Sequence, residues 1–268
     1  KLLYYRMVTE EEILPIETKK FQIASDLHIE YKNNDIPDPL NFITPSAEYL
    51  ILAGDIGSFY KVNQLKSFLM LLCKHFKMVF YIPGNQEYYT SREYKPTHFN
   101  TLLKKIYEIE NSINNLFVLN QNSIIIDDLC ITGCTLWSKP EIEIPKYIVR
   151  IHGINNEIYE NLHKKDLEYI KKMINYCENN CLKLVVVTHY CPTLKVLKNF
   201  HKKDKLISLY VTPLDYLLES SKVHTWICGH IHKNFDFITE GGTRVVSNQK
   251  GKPRDNIADF YKDFLVEI

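Results

Sequence analysis

Along this chain, apolar residues gather in short runs that end in polar ones, and the rhythm recurs five times. Phe21-Gln22-Ile23-Ala24 leads into Ser25-Asp26-Leu27-His28, and Tyr49-Leu50-Ile51-Leu52-Ala53 into Gly54-Asp55. Met78-Val79-Phe80-Tyr81-Ile82 leads into Pro83-Gly84-Asn85, Leu184-Val185-Val186-Val187-Thr188 into His189, and Thr225-Trp226-Ile227-Cys228 into Gly229-His230-Ile231-His232. Runs of this length, rich in aliphatic and aromatic residues, predict strands buried on both faces. Between them, Leu65, Phe68, Leu69, Leu72 and Phe76 recur at three- and four-residue spacing, so residues 62–76 should form a helix with one face on a sheet. Further helices are expected over 97–113 and 165–177. Asp127-Asp128 and Gly241-Gly242 each punctuate a pair of short apolar runs, the pattern of a hairpin. Residues 1–20 are polar and fit an edge strand or a loosely held arm. Residues 138–161 mix prolines, charges and tyrosines without a clean period and should leave the scaffold as an excursion or cap.

A length of 268 residues with 45% hydrophobic content suffices for one α/β domain, and residues 1–268 are expected to form a single one. Lys and Arg total 33 against 32 Asp and Glu, so no extended nucleic-acid or anionic-membrane footprint is expected. A local basic stretch does run through Lys195, Lys198, His201, Lys202, Lys203 and Lys205, either a solvated loop or an entrance for an anionic substrate. No apolar run matches a membrane span, and the first residues lack signal-peptide order, which points to an intracellular, cytoplasmic protein. Seven scattered cysteines read as reduced core residues. The pairs Cys130/Cys134 and Cys177/Cys181 lack zinc-knuckle spacing and fit core packing better. With 18 tyrosines in the chain, Tyr88 and Tyr89 are expected in the core more than on a substrate, as is Trp137.

The chemistry lies at the strand ends. Alternate residues of an extended chain share a face, so Asp26 with His28, and His230 with His232, can each address one object. Together with Asp55, Asn85 and His189 they form a set of oxygen and imidazole donors. Such a mixed set exceeds the needs of one ion that must keep open positions, and suits two ions sharing a carboxylate, for which Asp55 is the natural bridge.

The order Asp26-x-His28, Gly54-Asp55, Gly84-Asn85-Gln86-Glu87, His189 and Gly229-His230-x-His232 resembles the calcineurin-like metallophosphoesterase superfamily, over residues 21–249. The resemblance implies a four-layer α/β/β/α sandwich of two mixed β-sheets flanked by helices. It implies one divalent metal ion (Mn, Fe or Zn) on Asp26, His28, Asp55 and His232, and a second on Asp55, Asn85, His189 and His230. It also implies attack on phosphorus by a metal-bridging hydroxide, with Asn85, Gln86 and His189 contacting substrate. The expected substrate is a small phosphate ester or nucleotide, hydrolysed by a phosphodiesterase or nucleotide phosphohydrolase. Two departures stand out. Asp55 continues into Ile56-Gly57-Ser58 rather than the Val-Asp-Arg-Gly of protein phosphatases, which argues against a phosphoprotein substrate. Gln86 occupies the place of the motif histidine, and an amide can neither donate a proton to a leaving group nor carry charge. With every ligand around it intact, the mismatch reads as an introduced substitution that slows turnover, or as the mark of a catalytically silent metal- and phosphate-binding protein. A nuclease is the third alternative. Glu87 should orient the side chain at 86 or cap a helix.

Overall fold

The computed structural model describes residues 18–33, 35–197, 205–220 and 222–268. Three of the predicted runs and a short fourth strand pair side by side in parallel: β1 (Lys20–Ala24), β2 (Tyr49–Ala53), β3 (Met78–Ile82) and β4 (Leu116–Val118). A short antiparallel strand, β11 (Leu265–Glu267), covers the outer edge of β1, giving five strands in the order β11-β1-β2-β3-β4. The second sheet has six strands in the order β5-β6-β7-β8-β10-β9. Its members are β5 (Asn122–Ile126), β6 (Leu129–Cys134), β7 (Lys183–Thr188), β8 (Thr225–Ile227), β10 (Arg244–Ser247) and β9 (Phe235–Ile238). Its centre is parallel and both edges are antiparallel hairpins, turning at Asp127-Asp128 and near Gly241-Gly242 as predicted.

Strand side chains alternate between faces, and this sorts the core into layers. Ile23, Ile51, Phe80 and Ile82 meet Ile131, Val185, Val187 and Ile227 between the two sheets. Residues of the other parity, Leu50, Leu52, Val79 and Tyr81, pack with Leu65 and Phe68 of α1 (Val62–Leu72) and Leu102 and Ile106 of α2 (Phe99–Asn111). On the far side Cys130, Leu184 and Val186 pack with Ile170, Met173 and Cys177 of α3 (Asn156–Asn179). The result is the expected sandwich of two mixed sheets flanked by helices. All seven cysteines are free thiols and six are buried, as core residues should be. Among the described residues no helix is long and apolar enough to cross a membrane.

The helix expected from residue 165 starts nine residues earlier, at Asn156, where Asn155 caps it by accepting from the Ile158 amide at 2.8 Å. The core-facing stripe of α3 includes His163 and Asp166, and these polar residues hide its period. Both are satisfied inside: His163 Nδ1 meets the Trp137 carbonyl, and Asp166 accepts from Gln121 Nε2 at 2.7 Å. The irregular excursion therefore covers 138–155 only. Residues 1–17, expected as an edge strand or arm, lie outside the described residues, as do Lys198, His201, Lys202 and Lys203.

Candidate metal centre

Because β1, β2 and β3 run parallel to one another, as do β7 and β8, their carboxyl ends open on one side of the sandwich, the usual position for a site in an α/β fold. Hydrogen bonds continue past the strands and hold the loops in register: Asp26 N donates to Gly54 O at 2.9 Å, His28 N to Asp55 O at 3.0 Å, and Gly229 N to His189 O at 2.9 Å. Two contacts lock one sheet to the other. His230 N donates to Asp26 Oδ2 at 3.1 Å, and His189 Nδ1 meets the Ala53 carbonyl at 2.9 Å.

This brings six of the seven predicted donors into two groups with a common member. Asp26, His28, Asp55 and His232 form one, and Asp55, His189 and His230 the other, with the ligand atoms of each within 4.8 Å of one another. Asn85 lies beside the second, its Oδ1 2.9 Å from His189 Nε2. Asp55 Oδ1 is 3.2 Å from His189 Nε2, and Asp55 Oδ2 is 3.9 Å from His28 Nε2, so the carboxylate spans both groups.

The outer ring nitrogens of three histidines are committed. His28 Nδ1 faces Glu30 Oε1 at 3.0 Å, His232 Nδ1 faces Asp255 Oδ2 at 2.5 Å, and His189 Nδ1 the Ala53 carbonyl. With Nδ1 donating outward, the neutral form of each ring presents the Nε2 lone pair to the centre, the arrangement found around metal-bound histidines. Two features show that these residues fit cations. The Nε2 atoms of His28 and His232 stand 3.2 Å apart, aimed at each other, and the buried Nε2 of His230 has no hydrogen-bond partner. Nitrogen and carboxylate donors of this kind suit a divalent transition metal, without choosing between Mn, Fe and Zn.

Backbone geometry carries a cost here. Asp26, His28, Asp55, His230 and His232 all have positive φ, between 50° and 75°, in the left-handed region that residues with a β-carbon normally avoid. Two adjacent glycines make room for them. A β-carbon on Gly54, itself at φ +87°, would collide with the His189 ring, and one on Gly84 with the Asp55 carboxylate.

Glu87 neither orients residue 86 nor caps a helix. Fully buried, it accepts from the amides of Asp55 (3.1 Å), Ile56 (2.8 Å) and Gly84 (3.0 Å) and from the Tyr81 hydroxyl (2.7 Å), tying the end of β2 to the end of β3. The Gln86 amide in turn donates to Asp55 Oδ1 at 2.8 Å, and its side chain faces the cleft above.

That cleft has a volume of about 560 Å³. Asp55, Asn85, Gln86, His230 and His232 form its floor. One wall comes from the excursion, through Tyr147, Ile148 and Arg150, and another from Leu197, Leu206, Ile207 and Tyr210. Lys252, Arg254 and Asp255 close the rim. Asn155, Asn156 and Tyr159, which fall within the expected 138–161 excursion, do not line it. Asn155 is the α3 cap, Asn156 bridges Ile144 N and Ile142 O, and Tyr159 is buried with its hydroxyl 2.7 Å from that of Tyr190. Lys195 is likewise turned away, paired with Glu219 at 2.7 Å. Tyr88 and Trp137 are buried in the core, whereas Tyr89 is only partly buried and lines the cleft. Sequence reasoning missed Glu30 and Asp255 as histidine partners and Arg150 as a cleft residue. Only Glu30, two positions from His28, carried a signal in its spacing.

The charges respond strongly to one another. Burial alone would lower the His189 pKa, but Asp55, followed by Asp26, raises it to about 9. His230 goes the other way, to about 3, through burial and the charge on His189. A raised histidine pKa stabilises the metal-free fold below the ordinary value of 6.5, and that contribution disappears as pH rises through about 9. A metal requires neutral His189, so loading at pH 7 is expected to expel a proton, and affinity should climb with pH until about 9. Titration calorimetry in two buffers of different ionisation heat measures this directly. Identical heats in both at pH 7 would mean that His189 is not protonated in the metal-free protein.

The two sheets thus bring aspartate and histidine side chains to one shared end, in groups that could hold a metal ion. The chain belongs to the calcineurin-like phosphoesterase family, whose model matches residues 19–234. A curated relative, the uncharacterized protein L509 of Acanthamoeba polyphaga mimivirus, is 28% identical over 256 residues, covering 85% of this chain and 89% of that protein. Among solved structures, phosphopantetheinyl hydrolase from Mycobacterium tuberculosis superposes with a TM-score of 0.67 at 14% identity, covering 94% of this chain and 96% of its own. A dimetal phosphatase from Danio rerio gives 0.52 at 11% identity, covering 85% and 86%.

Proposed function

We propose that this chain is a dinuclear metal-dependent phosphohydrolase acting on a small phosphodiester or nucleotide. The observation that carries the proposal is the Asp55 carboxylate, shared between a group with Asp26, His28 and His232 and a group with His189 and His230. In this reading the first group holds one divalent ion, and Asp55, Asn85, His189 and His230 hold the other. Two such ions, when bound, supply Lewis acidity toward phosphoryl oxygens and activate water for in-line displacement. The protein's part is to place the ligands rigidly, to hold the phosphate over the floor through Asn85 and Gln86, and to seat the ester groups along the walls. Tyrosine rings and aliphatic side chains beside Arg150, Lys252 and Arg254 suit a phosphate with an organic body on at least one side. The solved phosphopantetheinyl hydrolase and dimetal phosphatase share the fold, which agrees with this class of chemistry.

Gln86 favours a second reading, a protein that binds metal and phosphate without turnover, because the amide on the cleft floor cannot act as a general acid. Metal analysis by mass spectrometry and a diester assay test both. Protein incubated with Mn²⁺ or Zn²⁺ should retain close to two ions per chain, and trace occupancy would refute the dinuclear site. With histidine at position 86, an aryl phosphodiester should be hydrolysed at least as well as the matching monoester. A clear monoesterase preference would remove the diesterase part of the proposal.

A further inference from the structure

We infer that Arg150 is the anion clamp of this cleft, its guanidinium holding a phosphate beside Asn85 with the positive charge that Gln86 lacks. The inference relies on the phosphohydrolase reading only for the identity of the molecule that carries the phosphate.

Three contacts fix where Arg150 stands. Tyr89 and Ile151 form an antiparallel bridge, and Thr90 donates to the Arg150 carbonyl from its amide at 2.8 Å and from its hydroxyl at 3.1 Å. The excursion is thereby stitched to the chain just after Gln86. The Arg150 guanidinium carbon lies 5.5 Å from the centre of the Tyr89 ring. Tyr89 lines the cleft together with Asn85, whose Oδ1 is 2.9 Å from His189 Nε2. The ring that carries the guanidinium thus belongs to the wall of the same cleft whose floor holds Asn85 and Gln86, and Arg150 lines that space with them.

The chemistry of Arg150 suits the position. It is exposed, and among the described residues it makes no ion pair, whereas Arg254 on the rim has Asp255 3.9 Å away. A guanidinium stays charged across the accessible pH range and offers a planar fork that matches two phosphate oxygens. Stacking on Tyr89 narrows its rotamers before any ligand arrives, so less freedom is lost on binding. A neutral amide at position 86 can donate hydrogen bonds but adds no charge. A merely structural role for the arginine is separable, because the bridge to Tyr89 is made by backbone and survives truncation of the side chain.

The test is calorimetric titration of inorganic phosphate into the full chain loaded with Mn²⁺ and freed of excess metal. Wild type, R150A, R150K, Q86H and the Q86H/R150A pair are compared, with metal content measured on every sample. R150A should weaken phosphate binding roughly 10- to 100-fold at unchanged metal content, the loss expected for a charge-assisted pair. R150K should recover part of it, and the R150A loss should shrink in the Q86H background, where an imidazole can share the anion. Equal phosphate affinity in wild type and R150A, no measurable binding by wild type, or a loss that tracks metal loss would each overturn the clamp. If phosphate affinity depends on Arg150 but no phosphodiester or nucleotide is hydrolysed even by Q86H, the enzymatic reading falls and the clamp stands.

Discussion

Asp55→Ala is expected to lower turnover roughly 10³-fold or more and to strip metal from both groups at once, because in the proposed dinuclear site several kcal/mol of charge stabilisation would depend on ions sharing this carboxylate. No other residue of the cluster belongs to both groups. The substitution also removes the acceptor of the Gln86 amide, 2.8 Å away, and leaves His28 and His189 without their shared counter-charge. Asp55→Asn keeps the shape and serves as the folding control. Metal content is measured alongside activity: a D55A protein that keeps a full complement of ions, or loses one and keeps its rate, would show that the two groups do not act as a pair.

The second large effect runs in the opposite direction. Gln86→His should raise the single-turnover rate on an aryl phosphodiester by ~10²–10⁴-fold, the usual worth of general-acid assistance, with little change in metal content. Residue 86 sits on the cleft floor with its backbone N–H held by Asp55 Oδ1, so an imidazole at this position would open onto the same cleft. Equal rates for the two forms would mean that position 86 does not deliver the proton, and two inactive, metal-loaded proteins would favour the binding module.

The scaffold and the floor of the site were legible for a physical reason. Strands buried on both faces are written as nearly continuous apolar residues, so the polar residue that ends each run is conspicuous, and Asp26, His28, Asp55, Asn85, His189, His230 and His232 all stand there. The start of α3 was not legible, since His163 and Asp166 face the core and look like surface residues until their buried partners are known. The walls of the cleft were hidden for another reason. Arg150 and Asp255 reach the site from irregular loops, where no period relates neighbours in the chain to neighbours in space, and only the fold brings Asp255 to His232, 23 residues apart. The tie made by Glu87 was similarly invisible, being a relation between two strand ends rather than between adjacent side chains.

The left-handed backbone at Asp26, His28, Asp55, His230 and His232 sets stability against activity. Each such residue costs on the order of 1 kcal/mol that glycine would not, so a sequence optimised on this backbone for resistance to heat alone would discard these five side chains first. Consensus or computational thermostabilisation that treats every position alike would therefore erase the site while improving the melting curve. Ions held at this site by the folded chain alone would offset the penalty through mass action, so the melting temperature is expected to rise with the concentration of free divalent metal.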